Sequence, residues 1–111
     1  MTDRYTLLAR VATVAYERAL ECSFDFAKYR EKLKEMAEEL AFLKEKASDL
    51  LVDFYFYSGR EARRNYKWVR DRVVELAEEL LALVGVALPA WERDYLEHWL
   101  KRIREVGEGD D

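Results

Sequence analysis

The hydrophobic positions of the chain fall into four runs with helical spacing, of which the second is the longest. Phe26, Tyr29, Leu33, Met36, Leu40, Leu43, Ala47, Leu50, Phe54 and Tyr57 follow one another at alternating steps of three and four residues. Glu and Lys fill most positions between them. Such a repeat keeps one apolar seam along one side of a helix. It predicts a helix over 25–57, about 50 Å long at 1.5 Å per residue.

Ser58-Gly59 ends that helix, because glycine is the easiest residue to place in a left-handed terminal conformation. Ala62, Tyr66, Val69, Val73, Leu76, Leu80, Leu83 and Ala87 then repeat the pattern and predict a third helix over 60–87. Two long seams joined by so short a break fold back on each other as an antiparallel coiled-coil hairpin. That register brings Leu40, Leu43, Val73 and Leu76 into one layer, Asp53 level with Arg64, and Asp49 level with Trp68.

Shorter runs flank the hairpin. Leu7, Leu8, Val11, Val14, Ala15, Ala19 and Cys22 share one side of a helix over 3–22, with Thr2 or Asp3 as its cap. Ser23 and Asp25 are N-cap types and predict a bend or restart there. Pro89 suits the first turn of a fourth helix over 89–106, which carries Trp91, Tyr95, Leu96, Trp99, Leu100, Ile103 and Val106. Residues 107–111 read as a frayed polar tail. The expectation is one all-α domain over 1–111: a long hairpin with two shorter helices, closing a four-helix bundle.

Phe42, Val52, Tyr55 and Phe56 lie off the seam of the second helix, leaving its second half apolar nearly all round. Two short flanking helices are not expected to hide all four, so these residues are a candidate protein interface.

Composition narrows the classes. Charged residues make up 38% of the 111 residues, yet the net charge is only -4. That balance gives no general attraction to nucleic acid or anionic lipid, so either would need a local patch. The chain has no Gln, a single Asn (Asn65) and abundant Glu, Lys and Arg, a bias that points to a thermophilic source. The lone cysteine, Cys22, excludes an intrachain disulfide and reads as a small buried hydrophobe. The start of the chain does not read as a signal peptide, and no apolar run reaches a membrane span. A cytoplasmic protein is expected.

The catalytic inventory is thin. There is no glycine-rich phosphate loop, and Ser23, Ser48 and Ser58 have no histidine nearby in sequence. Glu31, Glu35, Glu38, Glu39 and Glu45 raise a di-metal reading, but that site needs Glu-x-x-His motifs facing the core, and the chain has none. They read as a solvated face, with no metal and no cofactor expected.

The densest charge feature is basic. Arg60, Arg63, Arg64, Lys67 and Arg70 fall opposite the third helix's seam, as a stripe about 15 Å long. Trp68 lies among them, and rings between cations can stack on unpaired bases. The stripe reads first as a solvated or ion-paired face, next as a protein-binding surface, and third as a nucleic-acid surface.

Arg93 precedes the only histidine, His98, in the stretch Arg93-Asp94-Tyr95-Leu96-Glu97-His98. This resembles the Arg-x4-6-His motif near the start of the last helix in HEPN domains, which are four-helix bundles of similar length. The polar Asp94 after the arginine also matches, whereas Leu100 stands where many members have tyrosine. The resemblance covers six residues and the general architecture. It implies a metal-independent ribonuclease, or an inactive relative, in which Arg93 and His98 of two subunits meet in one groove. From the residues themselves, Arg93 and His98 fall about 140° apart on the helix, and His98 reads as capping a Trp91/Tyr95 cluster. The favoured expectation is a non-enzymatic interaction or assembly subunit, self-associating or part of a larger complex, with nucleic acid as the alternative partner.

Overall fold

The computed structural model describes residues 3–107, so Thr2 and the tail residues 108–111 lie outside the described residues. Four α-helices follow in order: α1 (Arg4–Asp25), α2 (Arg30–Phe56), α3 (Gly59–Val84) and α4 (Ala90–Gly107). Short 3-10 turns at Ala27–Tyr29 and Gly85–Ala87 join the first pair and the last pair. Each helix runs opposite to the one before it. Tyr5 near the start of α1 meets Phe54 near the end of α2, and Arg18 late in α1 meets Glu92 at the start of α4. The result is the expected all-α four-helix bundle, and its order is up-down-up-down.

The boundaries differ from the expected ones for local reasons. Asp3 caps α1, its Oδ1 accepting the Thr6 N–H at 2.9 Å. Ser23 does not restart the chain, because its hydroxyl is spent inside α1, donating to the Leu20 carbonyl at 2.6 Å. α1 therefore runs on to Asp25, and Arg30 Nε donates to the freed Ser23 carbonyl at 3.3 Å. The break falls on Phe26, and α2 shortens to 27 residues, about 40 Å. At the other end, Gly59 does not supply a left-handed cap. It is the first residue of α3, and the extended Ser58 before it caps that helix by accepting the Glu61 N–H at 3.2 Å. Pro89 precedes α4, where its carbonyl accepts the N–H groups of Glu92 and Arg93.

One core unites the helices. Leu40, Leu43, Val73 and Leu76 are all fully buried in it, together with Leu7, Leu8 and Val11 of α1 and Leu96 and Ile103 of α4. α2 packs most extensively on α1 rather than on α3, so its seam is shared between two neighbours. α1 buries the small residues Ala12, Ala15 and Ala19 completely, and small side chains let helix axes approach. The hairpin register is visible where Asp49, Asp53, Asn65 and Trp68 line one shallow groove. Arg72 of α3 also grips Glu39 of α2 through two hydrogen bonds.

Candidate interaction surfaces

The seam of α2 does not stay buried to its end. Leu33 through Leu50 are covered, but Phe54 is 41% exposed and Tyr57 is 81% exposed. Phe54 keeps one covered face, stacking on Tyr5 with ring centroids 4.6 Å apart. Its other neighbour, Tyr55, meets it edge-on at 5.0 Å. The off-seam residues Phe42, Val52, Tyr55 and Phe56 are all exposed, Phe56 at 76%. Two of them also have local work. Tyr55 donates its hydroxyl to Asp3 Oδ2 at 2.7 Å, tying the end of α2 to the start of α1. Lys46 lays its ammonium over the Phe42 ring at 5.4 Å. Val52 and Phe56 have no such role. The α2–α3 turn is thus an aromatic knob of Tyr55, Phe56 and Tyr57.

The basic stripe begins at this knob. Arg60, Arg63, Arg64, Lys67 and Trp68 are exposed, and Arg70 is half-buried. Part of the stripe is neutralised along its own helix: Arg64 pairs with Glu61 at 3.1 Å, Lys67 with Asp71 at 2.9 Å and Arg70 with Asp71 at 2.8 Å. The hydrogen bond from Lys67 holds the Asp71 carboxyl below the ordinary range, against the upward push of burial and with help from the charge of Arg70. Arg60 and Arg63 form no ion pair among the described residues. Trp68 donates its indole N–H to Asn65 Oδ1 at 3.1 Å, which fixes the ring against α3. The free charge of the stripe is therefore concentrated at its first turn, beside Phe56 and Tyr57.

Arg93 and His98 stand apart. The Arg93 guanidinium lies 3.7 Å from Asp94. His98 is exposed and meets Trp99 edge-on at 5.3 Å, so it borders Trp99 rather than the expected Trp91/Tyr95 pair. The acidic residues of α2 also stay separate: Glu39 is held by Arg72, while Glu31, Glu35, Glu38 and Glu45 are exposed. Among the described residues no group of His, Cys, Asp or Glu side chains is placed to hold a metal ion. Cys22 is buried, and burial together with nearby Asp25 pushes its thiol up to about 11, so little thiolate forms at neutral pH. Among those residues, no helix is long and apolar enough to cross a membrane.

The sequence did not single out the cleft at the other end of the bundle. Val14, Glu17 and Arg18 of α1 and Trp91, Glu92 and Tyr95 of α4 enclose a cavity of about 230 Å³. Arg18 Nη1 lies 2.9 Å from Glu92 and 3.1 Å from Glu21, fixing the two helices across its floor. Trp91, at 69% exposure, forms an open wall. The spacing of Trp91 and Tyr95 by one turn was the available signal; their pairing with Glu17 across two helices was not readable from either run alone. Comparison with protein-family models, curated proteins and solved structures finds no match for the chain.

Proposed function

We propose that the chain is a helical interaction and assembly subunit that docks through the aromatic knob at the α2–α3 turn. The observation that carries this reading is the exposure of Phe56 and Tyr57, at 76% and 81%, side by side at the end of a seam that is buried from Leu33 to Leu50. Bare aromatic rings in adjoining positions lose solvation advantage unless a partner covers them, and such rings dominate interface energetics. Phe56→Asp tests it. The variant should keep wild-type helicity by circular dichroism and lose native mass, or partner capture, relative to wild type. A wild-type particle that is a strict monomer under all conditions, with no partner retained, would sink the reading.

The second reading is the HEPN-like ribonuclease, which the Arg93-Asp94 and His98 stretch supports. On one chain Arg93 and His98 sit on different margins of α4, so this reading requires two copies to form the groove. Its demand is specific. RNA should be cleaved without added metal, and His98→Ala should abolish cleavage while leaving RNA binding intact, since the histidine's part there is proton transfer. No cleavage by the wild type at elevated temperature removes it.

A further inference from the structure

Both ends of this elongated bundle, 43 Å on its long axis, present uncovered aromatic rings, Phe56 and Tyr57 at one and Trp91 and Tyr95 at the other. At the α2–α3 turn, Phe56 and Tyr57 stand beside Arg60 and Arg63, which have no ion pair among the described residues. At the far end, the α1–α4 cleft joins the rings of Trp91 and Tyr95 to Glu17, Glu92 and Arg18. Arg18 does not make that cleft basic, because Glu21 and Glu92 both bind its Nη1. Glu17 is exposed and has no ion pair among the described residues. Along α1, Arg18 lies fourteen residues beyond Arg4, which rests over the Tyr66 ring at the knob end; that is about 21 Å of helix. The two surfaces cannot reach each other within one chain.

The cleft has the chemistry of a cation receptor. A guanidinium or ammonium is attracted to the face of an aromatic ring, tryptophan most strongly, and the attraction grows as water is removed. Elsewhere the chain covers its rings with its own cations, Arg10 over Trp99 at 5.0 Å and Lys44 over Tyr16 at 5.1 Å. Among the described residues, neither a cation nor another ring stacks on Trp91, which is 69% exposed. A cavity of about 230 Å³ suits one long side chain better than a drug-sized ligand, whose pockets start at about 300 Å³.

We infer that the cleft receives Arg60 or Arg63 of a second copy of this chain, so that copies join head to tail. This rests on the assembly reading above and names its partner. The contact is heterologous: each copy uses a different surface from its neighbour, and the knob's Phe56 and Tyr57 would lie against Trp91 at the cleft mouth. Such contacts continue into rings or filaments unless they are capped.

Capping supplies the test. Two variants are made, Glu17→Lys with Trp91→Ala, and Arg60→Glu with Arg63→Glu; circular dichroism first checks that both keep wild-type helicity. Wild type should exceed the 13.2 kDa of one chain in native mass measurement and shrink as salt is raised, since the charges are at an interface rim. Each variant alone should be monomeric. Mixed in equal amounts, one retains a working knob and the other a working cleft, so they should form a dimer and nothing larger. A mixture that stays monomeric, or either variant alone keeping wild-type mass, overturns the inference. If Phe56→Asp dissociates the particle while the cleft variant leaves it whole, assembly through the knob stands and this partner falls. If Phe56→Asp also leaves it whole, both fall. A wild-type monomer that gains mass only with single-stranded RNA would place nucleic acid at the knob and equally overturn the head-to-tail contact.

Discussion

Leu43 and Phe54 belong to the same seam of the same helix, yet one is 1% exposed and the other 41%. Their spacing gives no hint of the difference. Leu43 sits where α1, α2 and α3 are all present, whereas Phe54 lies at the level where α1 is only beginning. Periodicity says which side of a helix is apolar; the length and position of neighbouring helices decide how much of that side is covered. The aromatic knob is therefore the part of the seam that outruns its partners.

The largest effect should come from the covered half. Leu43→Ala removes a buried leucine from the layer it shares with Leu40, Val73 and Leu76 and should cost about 2–5 kcal/mol. Denaturant unfolding measures it. A cost below about 1 kcal/mol would mean that this layer can collapse onto the cavity or is not packed as described. The matching truncation at the open end, Phe54→Ala, removes a ring that is already 41% exposed, together with its contacts to Tyr5 and Tyr55. It should cost about 1–2 kcal/mol, below the roughly 3–5 of a fully buried phenylalanine. Equal costs at the two positions would mean the knob is covered in solution, which would itself point to an assembled state at the assay concentration.

These two residues also show what could be read in advance. The alternation of three and four residues was enough for the helices, the hairpin register and the all-α class, because those follow from which positions are apolar. It was enough to mark Phe42, Val52, Tyr55 and Phe56 as off-seam. It could not reveal that Ser23 would spend its hydroxyl within α1, since Ser and Asp cap or back-bond with equal local chemistry. Nor could it reveal that α1 would be the closest neighbour of α2. The cleft was hidden for a similar reason. Glu17 and Trp91 are separated by most of the chain, and only the up-down-up-down order brings the end of α1 against the start of α4.

The start of α1 is the hinge of the comparison, because Asp3 ties the knob to the packed core. Its carboxylate accepts from the Thr6 N–H, the Thr6 hydroxyl and the Tyr55 hydroxyl. Burial would raise its pKa, but the hydrogen bonds from Tyr55 and Thr6 outweigh it and hold it below 3.8. A depressed carboxyl contributes stability that is present above its unfolded value and is lost as pH falls through the folded one. Asp3→Ala should therefore destabilise by about 0.5–2 kcal/mol near neutral pH, the ordinary cost of an N-cap. The gap between wild type and variant should close as pH is taken well below 3.8. A gap that persists at the acid end would show that the cap works through shape alone and that Tyr55 is not held by charge.

The smallest effect should be found at the outermost residues of the open end. Arg60→Glu with Arg63→Glu changes the charge of the knob without touching a buried group, since both side chains are exposed and neither has an ion pair among the described residues. Surface substitutions of this kind usually stay within about 0.5 kcal/mol. The sign has a reason as well. A carboxylate at position 60 would lie in the first turn of α3, where the helix dipole favours negative charge, and one at position 63 just past it. Each would stand one turn before a cation, Arg64 or Lys67, so any small shift should be stabilising. Thermal unfolding of the monomer at low protein concentration is the measurement, so that assembly does not contribute to the midpoint. An unchanged midpoint would leave the knob's arginines free of any part in the fold. A clear loss would mean they hold the end of the hairpin together, and the packed and open halves of α2 would then differ less than their exposure shows.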